Sequence, residues 1–421
     1  MKLHNKFNNY FKNIKFYYIG FLKWLILGIL VGIVGGLLGA AFAHVISFAT
    51  SIRFENNWLV FLLPVGGIIS VAVYKLCKVT DIGTNDVFES VRTAKHVPIL
   101  LAPAVFCGTV ITHFLGGSAG REGAALQLGG SISTLFGKLF RLNEKSRHIL
   151  TMASMGALFS ALFGTPLAAF VFAIEVVSVG NLCSAAFLPG IAASLTAYKT
   201  STLLGTHPER FNIKNIPEFD INILWKVMLI AVLSAMVGAV FCKAMHLSCH
   251  LFKKYFSNEY IRILVGSAII IILTVLLNTN DYNGGGIEVV NRIFQSEQIN
   301  TEAFLLKIIF TAITIGAGFK GGEIVPTIFI GATFGATVSS LVGFSPAFGA
   351  AVGIVALFCA VTNCPIATIL LSAEMFSSKG LSYLALAAIV SFVLSGYTGL
   401  YTGQKLIFSK ISEDVINQKT H

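Results

Sequence analysis

Charge is scarce in this 421-residue chain: Asp, Glu, Lys and Arg make up only 12% of it, about half the roughly 25% of a soluble domain. That shortage excludes an ordinary cytosolic enzyme and a disordered chain, both of which depend on solvated charge. Acid is scarcer than base, with 19 Asp and Glu against 30 Lys and Arg, and no acid precedes Glu55. The seven cysteines, Cys77, Cys107, Cys183, Cys242, Cys249, Cys359 and Cys364, form no CxxC pair. This excludes a disulfide scaffold and a thiolate metal centre, and reads as reduced thiols packed like small apolar groups. The histidines are scattered without an HExxH-type spacing, so a metal site is not expected and an intramembrane enzyme, the alternative of a different class, is disfavoured. What is abundant is apolar: 55% hydrophobic residues, 40 glycines against 10 prolines, and a mean hydropathy of +0.80. A polytopic membrane protein built from α-helices is the class that remains, because a helix satisfies its own backbone inside lipid.

The basic excess is concentrated at the start, where Lys2, Lys6, Lys12, Lys15 and Lys23 flank the first long apolar run. Such flanks set topology by the positive-inside rule. They place the N-terminus in the cytoplasm and make a nucleic-acid arm an unneeded explanation. Apolar segments then fall at 18–50, 57–77, 97–116, 124–140, 148–179, 182–204, 221–252, 260–278, 302–319, 324–343, 346–376 and 381–400. Some match the roughly 20 residues of one span, others are too long for one helix or too short to cross. Glycine-rich breaks, GGSAGREG and GFKGGEIVP, lie between apolar flanks. Broken helices at membrane depth are tolerated only where backbone is buried in protein or lines a cavity, as in transporters and channels.

A repeat divides the chain. Residues 157–175 (ALFSALFGTPLAAFVFAIE) and 356–374 (ALFCAVTNCPIATILLSAE) share Ala, Leu, Phe, Ala, Pro, Ala and Glu at a spacing of 199 residues (157 to 356). The same spacing pairs Thr112 with Thr311, Gly117 with Gly316, Arg121 with Lys320 and Gly123 with Gly322. Two halves with an interrupted helix at the same place point to a midplane site at their interface. The expected organisation is a basic tail at 1–17, a first transmembrane repeat at 18–204, a linker at 205–220, a second repeat at 221–408 and a polar tail at 409–421, without a soluble regulatory domain.

Two glycine clusters carry the chemistry. In 116–123, four glycines let the backbone turn and offer free N–H groups where a helix begins, a setting that favours an anion. Arg121 adds positive potential, and Glu122 then stands where the anion should bind. A carboxylate that occupies the seat when charged and leaves it when protonated is both gate and proton carrier. In KGGEIVP, Gly321 and Gly322 open a second helix start, and Glu323 is another acid inside an apolar region, where ionisable groups are costly and usually functional. Glu175 and Glu374 close the repeated helices and suggest capping or pairing with basic residues. His113 reads as a packed core histidine. Asn85, in DIGTNDVFES with Asp81, Asp86 and Glu89, lies at a possible third helix start or in a surface loop. Tyr401 offers either an inward hydroxyl donor or an interfacial anchor. Arg121 and Lys320 beside the glycine breaks repel cations, which disfavours a cation transporter.

Taken together, these motifs resemble the CLC family of chloride channels and anion/proton exchangers, from about residue 20 to 408. GSAGREGA is similar to its GREGP motif with Ala124 in the Pro position, GFKGGEIVPTIFIGA to its GGxFxP motif, and 157–175 to its Glu-ending helix. GGGIEVV at 284–290 and the late Tyr401 also fit. The resemblance implies two inverted repeats of tilted, broken helices, a homodimer with one pore per subunit, small halide anions and protons as partners within a lipid bilayer, and no cofactor. By position it makes Glu122 the gating glutamate. The amides of Glu323 and Ile324 would face the central anion, with Gly120, Arg121, Gly123, Gly321 and Gly322 contributing backbone around it. Tyr401 would lend a hydroxyl, and residues 83–87 would replace the GSGIP segment, with Thr84 at the Ser position beside Asn85. Val176 stands where proton-coupled chloride members carry an inner Glu. GGEIVP has an acid where most members are apolar. Both features are similar to the family's fluoride-exporting branch, although that branch tends to read GGEVTP where Val325 stands here, and Thr84 keeps a hydroxyl as chloride members do. The expectation is a halide/proton antiporter of the cell membrane, fluoride favoured over chloride, with a chloride/proton exchanger or a passive chloride channel as the alternatives.

Overall fold

A computed structural model describes residues 2–79, 82–93, 95–213, 216–297, 299–376 and 378–421, with side chains from Tyr17 onward. Its first eight helices are α1 (Lys2–Glu55), α2 (Leu63–Leu76), α3 (Thr84–Ser90), α4 (Leu101–Phe114), α5 (Glu122–Leu139), α6 (Glu144–Phe163), α7 (Pro166–Glu175) and α8 (Phe187–Leu203). Eight more follow in the same order: α9 (Ile221–Tyr255), α10 (Glu259–Leu277), α11 (Ile287–Phe294), α12 (Ala303–Gly316), α13 (Ile324–Leu341), α14 (Pro346–Thr362), α15 (Pro365–Phe376) and α16 (Leu381–Leu394). The packing repeats too. α1 lies on α4, α6 and α8 as α9 lies on α12, α14 and α16, and α3 meets α5 as α11 meets α13.

Among the described residues, five stretches are long and apolar enough to cross a membrane: Tyr17–Glu55, Asn57–Leu76, Ile221–Tyr255, Glu259–Leu277 and Ile324–Leu341. They agree with the polytopic membrane protein that the composition implies. The apolar window in Glu259–Leu277 is 28% buried and that in Ile324–Leu341 is 83% buried, so α10 offers its surface to lipid whereas α13 is sheathed by protein. Where α1 meets α8, small residues govern the approach. A methyl group at Gly28 or Gly32 would come within 2.8 Å of the Pro189 carbonyl or 2.6 Å of the Ala193 carbonyl. Helices in lipid associate through such close van der Waals packing.

Of the four overlong apolar runs, 18–50 and 221–252 each lie within one long helix, α1 and α9, whereas 148–179 and 346–376 are each two helices. Gly164 ends α6 at φ 70° and Asn363 ends α14 at φ 56°, both in the left-handed conformation that stops helices. Pro166 and Pro365 then start α7 and α15, where a missing N–H costs nothing. The exposed amides that follow are served across the repeats. Glu175 accepts from Ile366 N (3.2 Å) and Ala367 N (2.8 Å), and Glu374 accepts from Leu167 N (3.1 Å) and Ala168 N (2.9 Å). Each carboxylate sits at the end of its own helix, where the dipole disfavours it, and is stabilised by the N-terminus of the other repeat's helix. A hydrogen bond to a charged group contributes about 1.5–3 kcal/mol. Of the two roles expected for these residues, capping is the one found. The exchange also means that α7 and α15, corresponding helices, run antiparallel, so the halves are inverted.

The polar stretch 279–301 holds α11, the counterpart of α3. Residues 205–213 and 216–220 carry no helix or strand. Past α16 the chain makes a three-stranded sheet, β1 (Ser178–Val179) parallel to β2 (Lys405–Phe408) and β2 antiparallel to β3 (Val415–Lys419). Residues 409–421 are therefore tied to the body by β3, which their polarity did not suggest.

Candidate functional site

α5 and α13 begin at the centre of the fold, facing each other. Their first residues are preceded by Arg121 (φ −113°, ψ −4°) and Glu323 (φ −101°, ψ −11°), nearly the same backbone, and neither helix start is capped by a side chain. The first amides of a helix have no partner within it, so both helices present free N–H groups and the positive end of a dipole inward. The loops leading in are joined. Gly120 N donates to Gly322 O and Gly322 N to Gly120 O, both at 2.7 Å, forming an antiparallel bridge. Glycine is required at position 322, where a methyl would lie 2.5 Å from Gly123 N; one on Gly120 would lie 2.8 Å from Glu122 Oε1, the end of a side chain that can shift.

The bridge corrects the pairing read from sequence. Around the site the repeat spacing is 202 residues (120 to 322), which holds for the starts and ends of α5 and α13. It returns to 199 by the end of α6, because α6 has 20 residues and α14 has 17. Arg121 therefore corresponds to Glu323, not to Lys320, and Gly120 rather than Gly123 corresponds to Gly322. Lys320 instead places its ammonium over the Tyr74 ring, 4.2 Å from the centroid.

Two cavities approach this centre from opposite faces. The near vestibule opens on the face where α1 starts and is lined by Thr84, Asn85, Gln127, Gly321, Glu323 and Tyr401 among others. The far vestibule opens where α1 ends and reaches His113, Gly120, Arg121, Glu209 and Val325. Glu122 lines neither. It is fully buried, and both carboxylate oxygens lack a hydrogen-bond partner, although the amides of Arg121, Glu122 and Val325 lie around it. Glu323 Oε2 and the Tyr401 hydroxyl are likewise buried without partners. The three groups lie within electrostatic reach of one another, beside the starts of α5 and α13.

Other expected residues are placed as follows. Thr84 opens α3, and its hydroxyl donates to Gly123 O at 3.4 Å. Asn85 is on the same helix rather than in a surface loop, and its Oδ1 accepts from Gly403 N at 2.9 Å. Asp86 accepts from Gly83 N at 3.0 Å, closing the start of α3. Arg121 turns its guanidinium away, donating to Glu209 (2.7 Å) and Leu162 O (3.1 Å). Its charge is thus compensated, and what it gives the centre is backbone. His113 is buried and bonded to Thr109 O at 2.9 Å, as a packed histidine should be. Tyr401 is 2% exposed, too deep for an interfacial anchor. Val176 is fully buried just past α7. Asp81 lies outside the described residues.

Two participants escaped the sequence reading. Gln127 lines the near vestibule and donates from Nε2 to Thr84 Oγ1 at 3.1 Å. Lys307, fully buried in α12, donates to Tyr282 O (3.1 Å) and Gly284 O (2.7 Å), fixing the glycine loop before α11. The signal for both was a lone polar residue inside an apolar run.

A family model described as voltage gated chloride channel matches residues 65–396. A protein of Pseudomonas syringae pv. tomato called chloride/fluoride channel protein is 32% identical over 399 residues, 92% of this chain and 87% of that one. The crystal structure of a CLC-type fluoride/proton antiporter superposes with a TM-score of 0.89 at 31% identity, covering 91% of this chain and 98% of the other. A slow cyanobacterial Cl−/H+ antiporter shares the fold, with a TM-score of 0.77 at 22% identity over 88% of this chain and 94% of that one. Mirrored helices meeting end to end at a glycine bridge, and a match running through most of the sequence, lead to the same statement: this chain is a member of the voltage-gated chloride channel family, the CLC family.

Proposed function

We propose that this protein exchanges a small halide for protons across the cell membrane, with fluoride favoured over chloride. The observation that carries the proposal is the seat of Glu122: a buried carboxyl, unbonded, between two uncapped helix ends that separate the two vestibules. An isolated buried charge costs several kcal/mol, so this seat suits a carboxyl that comes and goes with its proton while an anion takes its place. The amides of Glu323 and Ile324 and the backbone of Gly120, Arg121, Gly123, Gly321 and Gly322 form the anion's surroundings. Thr84, Asn85 and the Tyr401 hydroxyl complete them on the near side. Glu323, open to the near vestibule, relays protons in place of the inner glutamate that Val176 lacks.

Fluoride is favoured by Glu323 and Val176 and by the kinship with a chloride/fluoride channel protein and a fluoride/proton antiporter. The hydroxyl of Thr84 speaks for chloride, which makes chloride/proton exchange the second reading. Both ions carry the same charge, so selection falls to donors and fit. The lysines of the first 23 residues set the N-terminus, and with it the near vestibule, on the cytoplasmic side. Residues 205–220 link the repeats 18–204 and 221–408, and two copies make a dimer with one pathway each. The test is efflux of F− and Cl− from liposomes holding the purified protein, with a pH electrode. Fluoride release with matched proton uptake is expected. Anion movement without stoichiometric protons would replace the exchanger with a passive channel.

A further inference from the structure

Tyr401 lines the near vestibule. The loop carrying it is fastened on both sides of the tyrosine. Leu400 N donates to Val361 O at 2.9 Å, Gly403 N to Asn85 Oδ1 at 2.9 Å, and Gln404 Nε2 to Thr362 O at 2.7 Å, while Arg92 donates to the Gly403 carbonyl. The ring meets Phe88 edge-on, 5.1 Å between centroids at 88°. The tyrosine's own carbonyl is held differently. It accepts from Gln404 N at 2.9 Å and from Thr420 Oγ1 at 2.5 Å.

Thr420 comes from beyond β3, is 3% exposed, and also donates from its amide to Gln404 O at 3.3 Å. The strand before it pairs Lys405 with Lys419 and Leu406 with Gln418. Lys419 reaches Glu89 of α3 at 3.6 Å, the helix that also presents Thr84 and Asn85. His421 N donates to Tyr397 O at 3.2 Å and Gly399 N to His421 O at 3.3 Å. Residues 415–421 therefore brace the backbone behind a tyrosine that lines the near vestibule and whose hydroxyl is buried and unbonded.

We propose that β3 and Thr420 form a strut that fixes the depth of the Tyr401 hydroxyl in the anion pathway, making Thr420 a positioning residue for the anion site. The inference rests on Tyr401 being an anion ligand, as proposed above. Loss of the Thr420 hydroxyl frees one acceptor bond on the Tyr401 carbonyl while Leu400 and Gly403 stay fastened. The tyrosine then drifts and the loop survives.

The test is fluoride efflux from liposomes at graded fluoride, for the full chain and for Thr420→Val, Thr420→Ser, Tyr401→Phe and Thr420→Val with Tyr401→Phe. Thr420→Val should raise the half-saturating fluoride concentration about fivefold, the scale of one hydrogen bond. Thr420→Ser, which keeps the donor, should stay within about twofold of the parent. The double variant should be no worse than Tyr401→Phe alone, because a strut has nothing left to position. Additive losses would overturn the strut. So would a parental Thr420→Val beside an impaired Tyr401→Phe, and that outcome would leave the tyrosine's role standing. A parental Tyr401→Phe would remove the tyrosine from the anion site and the strut with it. A chain stopped after Asp414, which lacks every contact of residues 415–421, should lose affinity at least as much as Thr420→Val. Parental affinity there overturns the proposal independently of the point variants.

Discussion

Replacing Glu122 by Gln removes one charge and keeps the side chain's shape. The carboxylate lies between two helix N-termini, each equivalent to about half a positive charge and worth up to roughly 2 kcal/mol when partly buried. Taking about 1–2 kcal/mol from each of α5 and α13, the charged side chain holds its seat against an incoming halide by roughly 2–4 kcal/mol, a factor of about 30 to 700. The amide oxygen still faces the nearby N–H groups with its partial negative charge, so part of that competition stays. The half-saturating halide concentration of E122Q should then fall by at least about tenfold, with anion movement maintained or increased and proton movement down to the leak of empty liposomes. The sign with pH follows from the same chemistry. At high pH the parent is charged and the two proteins differ most. As pH falls, the parent gains its proton, carries no charge either, and the difference closes. Simultaneous fluoride- and pH-electrode recording at several pH values measures both quantities. Parental proton coupling in E122Q, or an affinity gap that widens as pH falls, would refute the assignment.

Two further outcomes are expected. Gly322→Ala puts a methyl 2.5 Å from Gly123 N across a bridge whose members are backbone, so transport should drop at least about a hundredfold while the protein still elutes as a single species; a variant with near-parental flux would show that the bridge is free to open. Glu175→Gln weakens a charged double acceptor that is 3% exposed, at a cost of about 1.5–3 kcal/mol, and should melt at a lower temperature in detergent than Glu374→Gln, whose partner site is half-buried; equal melting would separate the crossed caps from stability.

The sequence announced the fold where glycine and proline interrupt apolar runs, since these residues dictate backbone regardless of context. Gly164 with Pro166, and the cluster at 116–123, are in this class, and the helix starts appear where they imply. Glu175 and Glu374 were legible as caps, but not their exchange: which N-terminus a carboxylate serves is a tertiary fact. The repeat spacing misled at the site itself. Sequence identity was strongest after Ala157, and the three extra residues of α6 have no mark of their own among apolar neighbours. Gln127 was passed over because a single amide on a buried helix looks like any packed polar residue until Thr84, 43 positions earlier, is seen beside it. The tail failed for the opposite reason. Its strand is short and polar, and what orders it is hydrogen bonding to the Tyr401 loop rather than any pattern of its own.

A frame that reads the same upside down has no preferred sense of travel. Here the two halves come to their meeting point with nearly the same backbone and with carboxylates staggered by one residue. Glu122 is the first residue inside its helix and is sealed from both mouths. Glu323 is the last residue outside its helix and looks into one of them. That stagger gives a mirrored scaffold a front and a back. The register of a single side chain thus adds to the chemical inequality of the two mouths, while every helix keeps its counterpart.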